Sequence, residues 1–285
     1  MQSNSHIFHY NLSITEECEL CPAFEVYLAG CNLNCQFCFT RSDWGELICE
    51  DTVIEELGRF EQEGKIKSLF FVGGEPSLNL DFISRFVKKS KTRVPVWLVS
   101  NFIISKKTLA QIVASNFGII GTIYFGNDEC AIRISGARNY LAKIRAGLES
   151  IFELSGRIFL RHLALPGHLE CCSIPALNML RSNFPGIKLS LMVNYFPPKF
   201  APEQGELYRY LSAFEKEKLL ALGRERGVPI MPSVNSIADF TEKDAEFIIE
   251  PDGRLVAKYT SPELVLTLNQ LRRGNGKRRR DNQGA

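Results

Sequence analysis

Short apolar runs alternate with segments whose apolar residues recur at helical spacing, and this alternation restricts the fold more than any other feature. The runs Phe24–Leu28, Ser68–Val72, Val94–Val99, Ile119–Phe125, Ile158–Leu163 and Ile187–Val193 read as strands. Ser68–Val72 is a nearly continuous apolar run and Val94–Val99 resembles it, as expected of strands covered on both faces. Helical stripes follow them. Val53, Leu57 and Phe60 share a face behind a Thr52/Glu55 capping box, with Gly64 as the stop. Phe82, Ile83, Phe86 and Val87 follow an Asn79 cap, and Leu109, Ile112 and Val113 follow Ser105. A long helix over Tyr140–Leu154 carries Leu141, Ile144, Leu148 and Ile151. A fifth holds Pro175 in its first turn, and the last opens with a Ser212/Glu215 capping box and ends near Gly227. A strand followed by a helix, six times over, predicts an α/β fold: a parallel sheet with helices outside it and right-handed crossovers. Periodicity leaves open whether the sheet closes.

The first strand runs into Cys31, Cys35 and Cys38, spaced C-x3-C-x2-C. Three thiolates so close can turn onto one inorganic centre, and thiolates are the ligands of iron–sulfur clusters. Three are one too few for four irons, which leaves one iron open to a substrate or cosubstrate. The plainer alternatives are chance clustering and a structural zinc. Zinc wants four nitrogen or sulfur ligands, and no fourth lies nearby at finger-like spacing. Upstream, Cys18 and Cys21 make a C-x2-C pair that would need further ligands from Cys49, Cys130, Cys171 or Cys172; a pair of ordinary thiols is the simpler reading.

Nine cysteines, odd in number and unevenly spaced, suit a reducing compartment and metal chemistry better than a disulfide framework. A formal net charge of +2 argues for neither nucleic acid nor an acidic partner. No apolar run is long enough to span a bilayer, and Met1–Tyr10 lacks a secretory pattern, so a cytoplasmic protein is expected. Beyond Val228 the alternation breaks. Glu246–Val256 reads as a hairpin on Pro251-Asp252-Gly253, with a short helix over Pro262–Leu271 and a solvated basic tail containing Lys277–Arg280. The expected organisation is a leader (1–23), a core (24–230), an extension (231–272) and a tail (273–285).

The cysteine spacing, together with Gly73-Gly74-Glu75-Pro76 at the end of the second strand, resembles the radical S-adenosylmethionine (AdoMet) enzymes. That resemblance implies a partial (β/α)6 barrel with the cysteine loop after its first strand, and a 4Fe–4S cluster on Cys31, Cys35 and Cys38. It also implies AdoMet on the open iron, cleaved reductively to a 5'-deoxyadenosyl radical that abstracts hydrogen. Ligands of parallel α/β folds gather at the carboxyl ends of the strands, and the residues implied at the cofactor end those strands. Gly73, Gly74, Glu75 and Pro76 would hold the AdoMet ammonium; Ser100 and Asn101 would meet its ribose or carboxylate, or simply lead the next helix. Phe37 would pack on the adenine or the cluster.

Arg161-His162-Leu163-Ala164-Leu165-Pro166-Gly167 resembles the R-x-[VL]-x-x-P-G segment of glycyl-radical activating enzymes. Arg161 would then face the cofactor and the backbone near Leu163 the adenine, while His162, pointing the other way, takes a core role. Asn194 and Tyr195 would line the substrate side. Cys18–Pro22, Gly126–Ala131 and Arg161–Cys172 are similar to a poorly characterised branch of the pyruvate formate-lyase activating enzyme-like proteins, over roughly residues 18–230. The chain departs from that branch at Thr122-Ile123-Tyr124-Phe125, where an Asp-Phe-Lys-Tyr run is usual, and at Phe39-Thr40 in place of Gln-Asn. The substrate implied is a glycyl-radical enzyme or, given those departures, a peptide or small molecule. An electron donor such as flavodoxin or ferredoxin is implied. The alternative from another class is a non-catalytic metal-binding relative. No residue is singled out as an acid or base.

Overall fold

The computed structural model describes residues 6–13, 17–38, 46–197, 205–225, 245–249 and 255–259, with Cys18 and the last two segments described by backbone alone. The chain forms two compact units, residues 1–235 and 236–285.

The first unit is built on a seven-stranded sheet: β1 (Ile7–Ser13), β2 (Ala23–Leu28), β3 (Ser68–Gly73), β4 (Val96–Ser100), β5 (Gly118–Ile123), β6 (Ile158–Leu163) and β7 (Leu189–Met192). Spatial order follows chain order from β1 to β7, and every pair from β2 onward is parallel. Each crossover therefore steps to the adjacent strand, and the sheet winds one way, as a partial barrel does. It is not closed, since β1 and β7 are its two edges.

Among the described residues of this unit the helices are α1 (Glu50–Gln62), α2 (Leu80–Ser90), α3 (Lys106–Ala114), α4 (Asp128–Ser135), α5 (Tyr140–Glu153), α6 (Ile174–Asn183) and α7 (Ala213–Glu225). Phe24, Val26, Leu69, Phe71, Leu98 and Ile119 belong to the same buried cluster as the predicted stripes of α1, α2, α3 and α5. Fully burying each such side chain stabilises the fold by about 1.5–3 kcal/mol. On the opposite sheet face, Ala23, Phe70, Val72, Trp97, Ile120 and Phe159 form a smaller cluster onto which Leu20 packs. Leu20 belongs to a 3-10 turn, Cys18–Leu20, whose carbonyl accepts the Ser68 hydroxyl at 2.5 Å. No helix among the described residues is long and apolar enough to cross a membrane.

The structure corrects four local expectations. The leader contributes β1, which pairs antiparallel with β2. The Thr52/Glu55 capping box does not form, because α1 begins at Glu50 behind Cys49 without a side-chain cap. Asn79 makes no cap bond; its amide donates to the Ala29 carbonyl at 3.3 Å, and a preceding turn, Pro76–Asn79, is capped by Glu75. An unforeseen helix, α4, follows β5 behind an Asn127 cap. Ser105 and the Ser212/Glu215 pair cap α3 and α7 as the sequence implies.

In the second unit β8 (Ala245–Ile249) pairs antiparallel with β9 (Leu255–Tyr259), the two arms of the expected hairpin. Its Pro-Asp-Gly turn, the helix over 262–271 and the basic tail lie outside the described residues.

Candidate functional site

The cysteine loop leaves the carboxyl end of β2 and is fastened on three sides. On the first, Gly74 N–H donates to Leu28 O at 2.9 Å and Glu75 N–H to Gly30 O at 2.7 Å. The two glycines make this approach possible. A Cβ on Gly73, whose φ is +107°, would lie 2.5 Å from Leu28 O, and one on Gly74 would lie 1.9 Å from Gly30 O. Both positions thus have a backbone reason for being glycine that is independent of any ligand. On the second side, the Asn101 amide donates to Asn32 Oδ1 at 2.7 Å and lies 3.8 Å from Cys31 Sγ, while Asn32 donates to Ile103 O at 3.1 Å. On the third, the last carbonyls of α4 accept from the loop: Asn34 N–H to Ser135 O at 3.0 Å, Gln36 N–H to Ile134 O at 2.9 Å, and Gln36 Nε2 to Arg133 O at 3.0 Å. A helix terminus leaves such carbonyls without intrahelical donors, so the docking satisfies both partners.

Glu75 organises the adjoining loops. Its fully buried carboxylate accepts the Ser77 N–H at 3.1 Å, the Ser100 hydroxyl at 2.8 Å and the Asn101 N–H at 2.8 Å. Burial pushes its pKa up, and those donors oppose the rise. Pro76 is buried beside it and starts the 3-10 turn. Ser100 also accepts the Phe102 N–H at 2.9 Å. The Glu75 carboxylate and the Ser100 hydroxyl are therefore engaged within the protein.

Cys31 and Cys38 are exposed and Cys35 is half-buried. Cys31 Sγ accepts the Leu33 N–H at 3.4 Å. Burial raises the Cys31 pKa, with Glu75 and Cys38 adding to the rise and the Leu33 and Asn101 donors opposing it. Burial, then the Cys38 and Cys31 sulfurs, pushes the Cys35 thiol up. Two sulfurs whose ionisation the neighbouring sulfurs oppose, with N–H donors aimed at one of them and Cys38 on the same loop, fit a thiolate-ligated cationic centre such as an iron–sulfur cluster. Phe37 anchors the loop: its buried ring packs 5.0 Å from Tyr124 and 6.2 Å from Phe125, centroid to centroid.

Arg161 lies on β6, two positions beyond Phe159 and so on the face of the smaller cluster. Its guanidinium holds Glu17 through Nε to Oε1 at 2.8 Å and Nη2 to Oε2 at 2.5 Å, with Glu17 almost wholly buried. No local sequence pattern points to this partner, which lies 144 residues away. Leu163, half-buried, pairs in register with Met192, and Asn194 is half-buried just beyond β7. Tyr195 does not line an open face: it is buried, and its hydroxyl donates to Leu207 O at 2.8 Å. His162 has the core role expected of it, fully buried between Ile123 O and the Ser173 hydroxyl, each at 2.9 Å. Desolvation lowers its pKa to about 4.

The fold assembles a second group of donors, three of them cysteines that the sequence offers only as partners for Cys18 and Cys21. Cys130, His168, Cys171 and Cys172 place one ligand atom each within 4.8 Å of one another. The legible signal is His168-x2-Cys171-Cys172, but Cys130 joins it only through the fold. Of the leader pair, Cys21 is buried, and the Cys18 side chain lies outside the described residues.

The sequence model of the Radical SAM superfamily matches residues 26–195. An uncharacterized protein of Methanocaldococcus jannaschii, MJ0674, is 25% identical over 230 residues, covering 77% of this chain and 67% of its own length. Among solved structures, Streptococcus suis SuiB bound to S-adenosylmethionine superposes with a TM-score of 0.52 at 15% identity over 69% of this chain; the chain spans 46% of SuiB. Methylornithine synthase (PylB) superposes with a TM-score of 0.52 at 14% identity, over 89% of this chain and 81% of its own.

Proposed function

Because the chain belongs to the Radical SAM superfamily, whose enzymes use a 4Fe–4S cluster and AdoMet, we propose that Cys31, Cys35 and Cys38 hold that cluster and that the protein abstracts hydrogen from a polypeptide substrate. The observation that carries the reading is the three-sided fastening of the cysteine loop at the carboxyl ends of β2, β3 and β4. The cluster supplies, when bound there, the electron that cleaves AdoMet.

The protein's own residues set the stage for that chemistry. Asn101 directs an amide at Cys31, and Glu75 fixes the Ser100–Asn101 turn from beneath. AdoMet would lie along the strand ends, against the Gly73–Gly74 backbone, Asn101, the Leu163 backbone and Asn194. A rigid loop keeps the reacting partners in register and excludes water. Flavodoxin or ferredoxin would deliver the electron.

The polypeptide reading is supported by the fold's likeness to SuiB, solved with its precursor peptide SuiA, and to anSMEcpe, solved with AdoMet and a peptide. Activation of a glycyl-radical enzyme has less support, because Arg161 of the R-x-L-x-x-P-G segment is engaged with Glu17.

Anaerobic reconstitution tests the proposal. Iron and sulfide near four per chain should accompany reductant-dependent release of 5'-deoxyadenosine and methionine, and Cys35→Ser should abolish both. A Cys35→Ser protein with a complete cluster and full AdoMet cleavage would overturn it.

A further inference from the structure

Cys130 stands in the first turn of α4, and His168, Cys171 and Cys172 stand in and just before a π-helical turn, Leu169–Ser173, that follows β6. We propose that these four residues form a second metal site, separate from the cysteine loop, that holds a single zinc ion through three thiolates and Nδ1 of His168.

The spacing of the donors argues for one shared ion. Cys171 Sγ lies 3.8 Å from Cys130 Sγ and 3.8 Å from Cys172 Sγ; His168 Nδ1 lies 3.2 Å from Cys171 Sγ and 3.7 Å from Cys172 Sγ. A tetrahedral zinc with bonds of about 2.3 Å to sulfur and about 2.0 Å to nitrogen has edges of about 3.8 Å between sulfurs and about 3.5 Å from sulfur to nitrogen. These four edges fall around those values, and the two remaining ones, from Cys130 to Cys172 and to His168, lie within 4.8 Å. The ligands of a four-iron cluster each hold a different iron and must stand farther apart, so the group is too tight for a second cluster of that kind.

The surroundings supply what a ligated site needs. Asn127 Nδ2 is anchored on Cys171 O at 2.7 Å and lies 3.3 Å from Cys130 Sγ, an N–H donor for a thiolate. His168 is buried, and its Nε2 makes no hydrogen bond; Glu206 Oε1 lies 3.4 Å away, within ion-pair reach but off hydrogen-bond geometry. A histidine that binds metal through Nδ1 carries its proton on Nε2 and characteristically presents it to a carboxylate. Glu206 is itself paired with Arg133 of α4. Cys130 and Cys172 are buried and Cys171 is half-buried, so four protein ligands close the site without leaving a position for substrate. Gly126 permits the arrangement, since a Cβ there would meet Cys172 O at 2.3 Å. Binding would release three thiol protons to solvent.

The location gives the ion a purpose. Helix α4 begins at this group and ends in the carbonyls that hold the cysteine loop. An ion bracing its first turn to the β6 loop fixes the support on which that loop rests.

The test is metal analysis of the full chain produced in zinc-supplemented medium and purified anaerobically. We expect about one zinc per chain, retained when Cys31, Cys35 and Cys38 are all replaced by alanine, and lost to background in Cys171→Ser and His168→Gln. Cobalt added anaerobically to the metal-free triple-alanine protein, which lacks the cysteine-loop thiols, should give visible bands of tetrahedral thiolate-bound cobalt, a readout that does not depend on how the Cys171 and His168 variants fold. Absence of zinc together with absence of those bands overturns the proposal. So does iron with acid-labile sulfide in the triple-alanine protein. The first result leaves the cysteine-loop reading untouched, whereas the second counts against both readings.

Discussion

Ser100 donates its hydroxyl to the buried carboxylate of Glu75 at 2.8 Å, joining the carboxyl end of β4 to the loop after β3. The same carboxylate receives N–H groups from Ser77 and Asn101, so all three of its partners are donors. Glu75→Gln must turn an NH2 group toward at least one of them. Leaving a buried donor unmatched costs about 1–3 kcal/mol. We expect a lower melting temperature and poorer iron retention after reconstitution, checked by calorimetry and iron assay; an unchanged melting temperature would show that Glu75 does not organise the loops.

Gly74→Ala is expected to be far more damaging. Its Cβ would sit 1.9 Å from Gly30 O, a backbone atom that cannot rotate aside. The β2 and β3 corners would have to separate, breaking the Glu75 N–H bond to Gly30 O. Little soluble protein, or protein that takes up no iron, is the predicted result. Gly136→Ala is the control: its φ of +74° makes alanine strained there, but nothing lies within 4 Å, so the cost is limited to about 1–2 kcal/mol.

Removing one member of the Glu17–Arg161 pair leaves a charge in the interior. Arg161→Met should cost roughly 3–5 kcal/mol, and Glu17→Gln with Arg161→Met should recover a large part of it. Urea unfolding of the single and double variants measures both. If the double variant is no more stable than Arg161→Met, the pair is not coupled.

His162 makes stability depend on pH in a definite direction. Its folded-state pKa of about 4 lies below the ordinary histidine value of 6.5, so the unfolded chain binds the proton more readily between those values. Its contribution is fully retained above pH 6.5 and declines as pH falls toward 4, by about 3 kcal/mol in all. Glu215, held to about 2 by Arg209, loses its contribution only below 4.5, which separates the two windows. His162→Gln should be less stable at neutral pH but flatter between pH 6.5 and 4.5; an unchanged slope in thermal melts would exclude His162 as its source.

Much of the sheet was legible because its strands are buried on both faces and so spell continuous apolar runs, as in Ser68–Val72. β1 was not: Ile7–Ser13 is an edge strand, mostly half-buried, and its polar content hid it in the leader. α4 is short and its stripe slight, although Asn127 with Asp128 and Glu129 is a legible start. Cys31, Cys35 and Cys38 stand out as a group in the sequence because one loop carries all three. Glu17 with Arg161, and Cys130 with His168, are joined only by the winding of the sheet, so local sequence gives no notice of them.

The contact of Gly74 with Gly30 also constrains how this chain can change over generations. A side chain gained at Gly74 could be accommodated only by moving the turn that precedes Cys31, so the two signature segments, though well separated in the gene, are not independently variable. Drift in this lineage should be freest in the outer helices and slowest where those two turns touch.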